Sequence, residues 1–383
     1  MRIFLRALAR LTSLVAALLL ALLFLNAVAL VSERVSGANQ DCVGPFVELY
    51  HLKLSDYYPD LTPEAVNDLL CTTWRLPWRY APFTGSRLPA LSSRYVNISS
   101  AGYRLSSSQR PWPPDRRRER VIFVFGGSTA FGYGVQDSQT IPSHLQELLV
   151  DPASTRPPAV YNFAIPANNS TQERIQFQQM LVGGTIPDVA VFVDGYNDLV
   201  LSDEPGGTAQ VEEILNDSAY LRPSWLLLQA GRAMPISRAL AELLGTGAGS
   251  ADRESGVRRP EPGFVQGVVE RYRNNQRITR AVSASFGVEP VFAWQPIPEY
   301  AYAPELHAFD DLGRPEYGPR RQVYETMSSL ARQGRLDPNF LWCADLGQGA
   351  THPLYVDRAH YTGEMSRRVA SCIAGALSEE VSR

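Results

Sequence analysis

From residue 119 onward, short apolar runs alternate with longer segments of mixed polarity. A continuous apolar run of about four to eight residues is typical of a parallel strand buried on both faces. The runs predicted as strands are VIFVF at 121–125, AVYNFAI at 159–165, DVAVFVD at 188–194, PVFAWQP at 290–296 and FLWCADL at 340–346. Strands that alternate with helices predict a parallel sheet with helices on both faces.

Three helices are predicted between and after these strands. TIPSHLQELL at 140–149 carries Pro142 in its first turn and leucines on one face. In STQERIQFQQML at 170–181, Ser170 and Glu173 have the spacing of a capping box. The last helix has an apolar residue at every fourth position, namely Met365, Val369, Ile373 and Leu377.

A long insertion, at about 201–285, separates the third and fourth predicted strands. It contains an apolar, helix-like run at 224–234 and a polar stretch at 245–263 that is predicted to be disordered. The insertion could be a lid, a partner surface or a tolerated surface loop.

The N-terminus differs from the rest of the chain. Arg2, Arg6 and Arg10 precede an uncharged apolar run at 11–31. As a helix, this run is about 32 Å long, which is enough to cross the hydrocarbon core of a bilayer. We therefore predict a cytoplasmic segment at 1–10 and a transmembrane signal anchor at 11–31, with the remainder of the chain outside. The alternative is a cleaved signal peptide, because the Ala-Val-Ala at 27–29 could serve as its cleavage site.

All four cysteines then lie in an oxidising compartment, where an even number favours disulfides. Cys42 with Cys71 and Cys343 with Cys372 are the sequence-local pairs, and we predict these two bonds. Buried free thiols are the alternative. Residues 33–118 are rich in Pro, Tyr and Trp, and we interpret them as an extracytoplasmic lead-in segment that ends in a linker, PWPPDRRRER.

Charge and composition exclude several functions. The net charge is −3 and the pI is about 6.0, so no basic surplus points to nucleic acid. No Cys/His cluster suggests a zinc site, and we predict no metal and no cofactor. The sequence GGSTAFGYG at 126–134 contains neither a P-loop nor a GxGxxG fingerprint, which argues against phosphate binding.

Polar residues follow the predicted strands, at the edge of a parallel sheet where ligands bind. Ser128 follows the first strand, Asn197 follows the third, and Asp357 with His360 precedes the last helix. Histidine is a suitable base for a serine nucleophile, and an aspartate three residues away could fix its tautomer. Backbone N–H groups of Ser128 and Ala167, with the side-chain amide of Asn197, could stabilise an oxyanion.

The blocks GGST, NFAIPANNS, DGYND and DRAH, in this order, resemble those of the SGNH, or GDSL-type, hydrolases. The segment NISSAGYR at 97–104 also resembles the lead-in of many bacterial members. The resemblance covers roughly 95–200 and 286–378 and implies a flavodoxin-like three-layer α/β/α sandwich, with the hydrolase-like domain at 119–383. It also implies that Ser128 is the nucleophile, that Asp357 and His360 complete the triad, and that Asn197 is the oxyanion-hole asparagine.

Two departures from the family pattern affect the site. The first block has Gly-Gly-Ser-Thr in place of Gly-Asp-Ser-Leu, with its serine intact. In the second block, Ala167 stands where the family normally has glycine, and alanine keeps the N–H only if the backbone there accepts a Cβ. Asn169, Trp294 and Gln295 lie at strand ends and are candidates for the substrate pocket.

Three functions stay open at this stage. The first is a membrane-anchored serine esterase of the bacterial inner membrane, facing the periplasm or exterior, that removes O-acyl groups, above all O-acetyl, from envelope or secreted glycans. The second is a polysaccharide O-acyltransferase with the same triad. The third is a non-catalytic SGNH module that binds a glycan or a protein partner. The sequence identifies no protein partner, and the membrane is expected to be contacted through the N-terminal helix.

Overall fold

The computed structural model describes residues 1–37, 41–200, 262–309 and 317–381. These residues fall into two compact units. One unit contains the N-terminal helix α1, and the other begins at Cys42 and carries the sheet. The helix-like run predicted at 224–234 and the disordered stretch predicted at 245–263 lie outside the described residues, except for the last two positions of the latter.

Helix α1 spans Arg2–Gly37 and includes the run predicted as a transmembrane helix. Within the described ranges, no helix combines the length and the apolar character needed to cross a membrane. The transmembrane span predicted at 11–31 is therefore not confirmed.

The second unit is built around a five-stranded parallel sheet. Strands β1 (Arg79–Ala81) and β2 (Gly85–Arg87) form a separate antiparallel hairpin. The strands of the parallel sheet are β3 (Arg120–Gly126), β4 (Pro158–Asn162), β5 (Val189–Asp194), β6 (Glu289–Trp294) and β7 (Phe340–Trp342). Their order across the sheet is β4-β3-β5-β6-β7. This is the flavodoxin-like order, so the predicted fold is confirmed. The chain reverses its direction of progress between β3 and β5, and ligands bind at such a switch point.

Both faces of the sheet are buried, as the continuous apolar runs predict. In β3, Ile122 and Val124 pack into one core cluster, whereas Phe123 and Phe125 pack into another on the opposite face. Alternate residues of a strand point to opposite faces, so every position of β3 from Val121 onward meets packed side chains.

Helices cover both faces. The helices of this unit are α2 (Gly44–Tyr50), α3 (Pro63–Trp74), α4 (Ser128–Phe131), α5 (Ile141–Leu148), α6 (Ser170–Val182), α7 (Tyr196–Val200), α8 (Phe264–Phe286), α9 (Tyr317–Arg332) and α10 (Gly363–Val381). Short 3₁₀ turns occur at Leu54–Asp56, Asp137–Gln139, Pro304–Leu306 and Ala344–Gly347. Helices α5 and α10 contribute to the first cluster, and α6 contributes Phe177 and Leu181 to the second.

The C-terminal part of the segment predicted as an insertion is helical. Residues 264–286 form α8, a 23-residue helix that packs on α6, α9 and β6. Its buried face includes Tyr272 together with Asn275, Gln276 and Thr279. Because these polar side chains interrupt the apolar stripe, the helix is not evident from the hydrophobic pattern.

The capping residue of α6 also differs from the prediction. Asn169, rather than Ser170, is the N-cap, and its side chain accepts hydrogen bonds from the N–H groups of Thr171 and Gln172. The Gln172 side chain accepts in turn from the N–H of Asn169 at 3.1 Å, which completes the capping box. The start of α6 is thereby fixed directly after the loop that holds Ala167.

The lead-in segment does not end in a free linker. Residues 42–118 belong to the same compact unit as the sheet. The ring of Trp112, in the proline-rich stretch, packs at 5.3 Å from both Tyr103 and Tyr161, and the Arg116 guanidinium pairs with Asp188. Trp112, which was interpreted as part of a linker, therefore packs against the sheet.

The predicted disulfides are both present. Cys42 is bonded to Cys71 and Cys343 to Cys372. The first bond ties the start of the second unit to α3, and the second ties the end of β7 to α10. Each bond closes a loop with a sequence separation of 29 residues.

Candidate active site

Ser128 lies at the carboxyl end of β3, as the first residue of the short helix α4. The preceding residue, Gly127, has no room for a side chain. A Cβ at this position would lie 2.0 Å from Nδ2 of Asn197 and 3.1 Å from the carbonyl oxygen of Asn168. The glycine therefore allows the loops after β4 and β5 to approach the serine closely.

Ser128, His360 and Asp357 are connected by hydrogen bonds. Oγ of Ser128 lies 2.7 Å from Nε2 of His360, and Nδ1 of His360 lies 2.6 Å from Oδ2 of Asp357. With the proton on Nδ1, the imidazole donates to the carboxylate and accepts from the serine hydroxyl. Ser128 and His360 are 232 residues apart in sequence, and the fold brings them together.

The Asp357 carboxylate is held by more than the imidazole. Its Oδ1 accepts hydrogen bonds from the backbone N–H groups of Ala359 and His360, both at 2.9 Å. Burial alone would raise the pKa of Asp357, but the charge of His360 and these hydrogen bonds outweigh it and lower the pKa to about 2. The carboxylate therefore stays ionised wherever the imidazole acts as a base.

This lowered pKa predicts a stability change in acid. The pKa of Asp357 is about 2 in the folded protein and 3.8 as a reference. Its contribution to the free energy of unfolding, about 2 kcal/mol, is present above pH 4 and is lost as the pH falls towards 2. We expect the difference in unfolding free energy between the wild type and Asp357→Asn to shrink by this amount between pH 5 and pH 2. A difference that stays constant over this range would contradict the assignment.

Three donors converge on the region of Ser128. Among the described residues, the backbone N–H groups of Ser128 and Ala167 have no protein acceptor. The Asn197 side-chain amide donates one hydrogen bond to the carbonyl oxygen of Asn168, at 2.6 Å, which leaves its second N–H for another acceptor. Unpaired donors at the switch point of a parallel sheet are suited to hold an oxyanion.

Ala167 adopts the left-handed backbone conformation, with φ of +65°. This region favours glycine, and an alanine there is strained. The backbone therefore keeps the conformation that the usual glycine would adopt, and the N–H is preserved at the cost of this strain. The replacement of the usual glycine by Ala167 therefore affects the stability of the loop and leaves the N–H donor in place.

Ala167→Gly is expected to keep the site and to relieve the strain. The gain in unfolding free energy is about 0.5 kcal/mol, because the relief of about 1 kcal/mol is partly offset by the greater entropy of glycine in the unfolded chain. Ala167→Val, with a branched Cβ, is expected to lose more than about 1 kcal/mol. Thermal unfolding of the three proteins tests this order, and equal stability of glycine and valine variants would refute it.

The three residues predicted for the substrate pocket are buried. Trp294 is 0% exposed and packs against Tyr272 with ring centres 4.7 Å apart, so its assignment to the pocket was wrong. Gln295 is buried and accepts a hydrogen bond from the Thr129 hydroxyl at 2.5 Å, which ties the end of β6 to the residue after the serine. Asn169 is buried and caps α6, as described above.

A buried arginine, not predicted from the sequence, fixes the loop after the serine. The Arg104 side chain is 0% exposed and donates to Asp137 at 2.8 Å. It also donates to the carbonyl oxygens of Phe131, Gly132 and Val135, at 2.6–3.0 Å. Asp137 also accepts from the amide and the backbone N–H of Asn97. The first and last residues of the segment NISSAGYR, Asn97 and Arg104, therefore hold this loop in place. The resemblance of this segment to the family was the sequence feature that could have indicated the role.

The histidine is covered by an aromatic ring that the sequence did not single out. Tyr133 stacks on His360, with ring centroids 4.5 Å apart and planes tilted by 31°. The backbone of the next residue, Gly134, accepts a hydrogen bond from the buried Tyr58 hydroxyl at 3.0 Å. Tyr58 belongs to the lead-in segment, which therefore contributes to the position of the imidazole.

A cluster of buried carboxyl groups lies behind the Asn197 loop. Burial and neighbouring carboxylates raise the pKa of Glu173 and of Asp194 well above the ordinary range, and burial also raises that of Asp198. The Ser170 hydroxyl donates to Asp198 at 2.5 Å, which joins the start of α6 to α7. Burial of these groups close to one another therefore favours their protonated forms. No group of three or more His, Cys, Asp or Glu in the described ranges is placed to hold a metal ion.

Comparison with known proteins gives only distant structural similarities. No family model and no curated protein matches the sequence. The structure is similar to a member of the lipolytic protein G-D-S-L family from Veillonella parvula, at TM-score 0.36 and 11% identity, over 67% of this chain and 98% of that one. It is also similar to a catalytic mutant of an acetylxylan esterase from Geobacillus stearothermophilus, at TM-score 0.39 and 11% identity, over 67% and 94%.

A psychrotrophic esterase from Pseudoalteromonas, inhibited by monoethylphosphonate, has TM-score 0.37 and 11% identity, over 69% of this chain and 100% of that one. At these TM-scores the similarities carry no argument about activity. The sheet order and the contacts of Ser128, His360 and Asp357 are those that the resemblance seen in the sequence implies.

Proposed function

We propose that the protein is a serine esterase of the SGNH type. The observation that carries this proposal is the continuous hydrogen-bonded connection from Oγ of Ser128, through His360, to Asp357. An isolated serine hydroxyl is a weak nucleophile, whereas one bonded to a neutral imidazole can be deprotonated as it attacks.

The chemistry follows from these contacts. Oγ of Ser128 attacks the ester carbonyl carbon while Nε2 of His360 takes the hydroxyl proton. The negative charge that develops on the carbonyl oxygen is stabilised by the N–H groups of Ser128, Ala167 and Asn197. The carbon–oxygen bond to the alcohol then breaks, and the imidazolium returns its proton to the leaving alkoxide. Water repeats these steps on the acyl-serine and releases the carboxylic acid and the free serine.

The proposal extends to the substrate and the location. We propose O-acyl esters, above all O-acetyl esters, of envelope or secreted glycans as substrates, with the catalytic unit outside the cytoplasmic membrane. The apolar run at 11–31, preceded by three arginines, supports attachment to that membrane, and the two disulfides support an oxidising compartment.

Labelling with a fluorophosphonate tests the activity. The full-length wild type is expected to gain the mass of one adduct, whereas Ser128→Ala gains none. Ser285→Ala, which removes an exposed serine from α8, is the matched control and should label like the wild type. An unlabelled wild type that unfolds cooperatively would refute an activated serine. Turnover of aryl acetate and aryl octanoate by the same samples then tests the preference for a short acyl group.

A further inference from the structure

An exposed hairpin presents three aromatic side chains to solvent beside the candidate active site. Its strands are β1 (Arg79–Ala81) and β2 (Gly85–Arg87). Trp78, Tyr80 and Phe83 are 46%, 55% and 75% exposed. Phe83 also has φ of +69°, which is a strained conformation for this residue. Because the ring is mostly exposed, its packing offsets little of this strain. Exposed aromatic groups of this kind mark interaction surfaces.

The same hairpin carries positive charge that the protein leaves unbalanced. Arg79 and Arg87 lie directly opposite each other across the two strands, an arrangement in which like charges repel. Neither forms an ion pair with an acidic group in the described part of the chain. No Asp or Glu occurs between residues 69 and 114, and both hairpin arginines are exposed. The surface is therefore suited to an anionic partner.

The hairpin adjoins the loop that supplies the proposed oxyanion donor. The Gln172 side chain donates to the carbonyl oxygen of Thr84, in the hairpin turn, at 2.8 Å. Gln172 belongs to the capping box of α6, which begins three residues after Ala167. A partner bound to the hairpin would therefore lie next to the site of ester cleavage.

We propose that this hairpin docks on an anionic lipid surface. Tryptophan and tyrosine favour the interface between water and hydrocarbon, and arginine pairs with lipid phosphates. Phe83, next to Pro82 and Ala81 at the tip, has no hydrogen-bonding group and gains most from burial in an apolar phase. We choose lipid over an acidic glycan because insertion of the tip into hydrocarbon would remove the whole Phe83 ring from water. The proposal does not depend on the esterase activity.

Hydrogen exchange of the backbone amides at 79–87 tests the proposal. The full-length protein is reconstituted into vesicles of phosphatidylcholine alone and of an equal mixture with phosphatidylglycerol. We expect these amides to exchange about tenfold more slowly on the mixed vesicles. The double variant Arg79→Gln/Arg87→Gln should lose this protection, because each arginine strengthens binding to the anionic surface by about fivefold. Phe83→Ser should weaken it on the mixed vesicles as well.

The control is Arg117→Gln/Arg332→Gln, which removes two exposed arginines away from the hairpin and should keep the protection. Amides of β3, measured in the same samples, report whether each variant is folded. Equal exchange on the two kinds of vesicle, or equal loss in the control, would overturn the proposal. Protection by polygalacturonate on phosphatidylcholine vesicles, without the anionic lipid, would assign the hairpin to an acidic glycan instead.

Discussion

Ser128→Ala and His360→Ala are each expected to lower kcat for an aryl acetate by about 10⁴- to 10⁶-fold. The two groups act together, since Oγ of the serine lies 2.7 Å from Nε2 of the histidine and the proton passes between them. The double variant should therefore be no worse than either single variant. Steady-state turnover of the three proteins measures this directly.

His352→Ala provides the matched control, because it removes an exposed histidine that pairs only with neighbouring surface groups. It should retain the wild-type kcat. Multiplicative losses in the double variant would show that Ser128 and His360 act independently, which is incompatible with one proton-transfer unit.

Gly127→Ala is expected to lower kcat by about 10²- to 10³-fold, as for the loss of one oxyanion donor. The new Cβ would lie 2.0 Å from Nδ2 of Asn197, so the amide must move away from the carbonyl oxygen of the substrate. The crowding should also lower the free energy of unfolding by about 1–3 kcal/mol.

Gly375→Ala separates this effect from a general response to a methyl group. Its Cβ would meet nothing within 4 Å, in the interior of α10, and alanine there should raise stability by about 0.5–1 kcal/mol with unchanged kcat. If Gly127→Ala retained full turnover, Asn197 could not be a donor to the oxyanion.

The sheet and the Ser128–His360–Asp357 contacts could be predicted from the sequence because their signals are local. Each strand is a continuous apolar run, and each predicted catalytic side chain follows a strand or precedes a helix. Asp357 and His360 are three residues apart, so the turn itself places them in contact. The disulfides could be predicted because the number of cysteines is even and each cysteine was paired with its nearest neighbour in sequence.

Features that depend on distant contacts were not predicted. Helix α8 buries polar residues against the carboxyl groups of Glu173, Asp194 and Asp198, so its sequence lacks a clear apolar stripe. Trp294 ends a strand near the site, but its indole turns into the core. In the sequence, Tyr133 is one residue of a glycine-rich turn, and only the fold shows that its ring packs on His360. No local sequence pattern indicates which other side chains the ring of Trp294 or Tyr133 will contact.

The buried guanidinium of Arg104 also limits how this protein can have evolved. It bonds to Asp137 and to three carbonyl oxygens of the loop after Ser128. These partners lie within the domain predicted at 119–383, whereas Arg104 lies before it. A recombination event that joined residues 119–383 to a new upstream sequence would leave a carboxylate and those carbonyl groups without their donor. Residues 97–137 must therefore stay together, and gene fusions that keep the activity should have their junctions before Asn97.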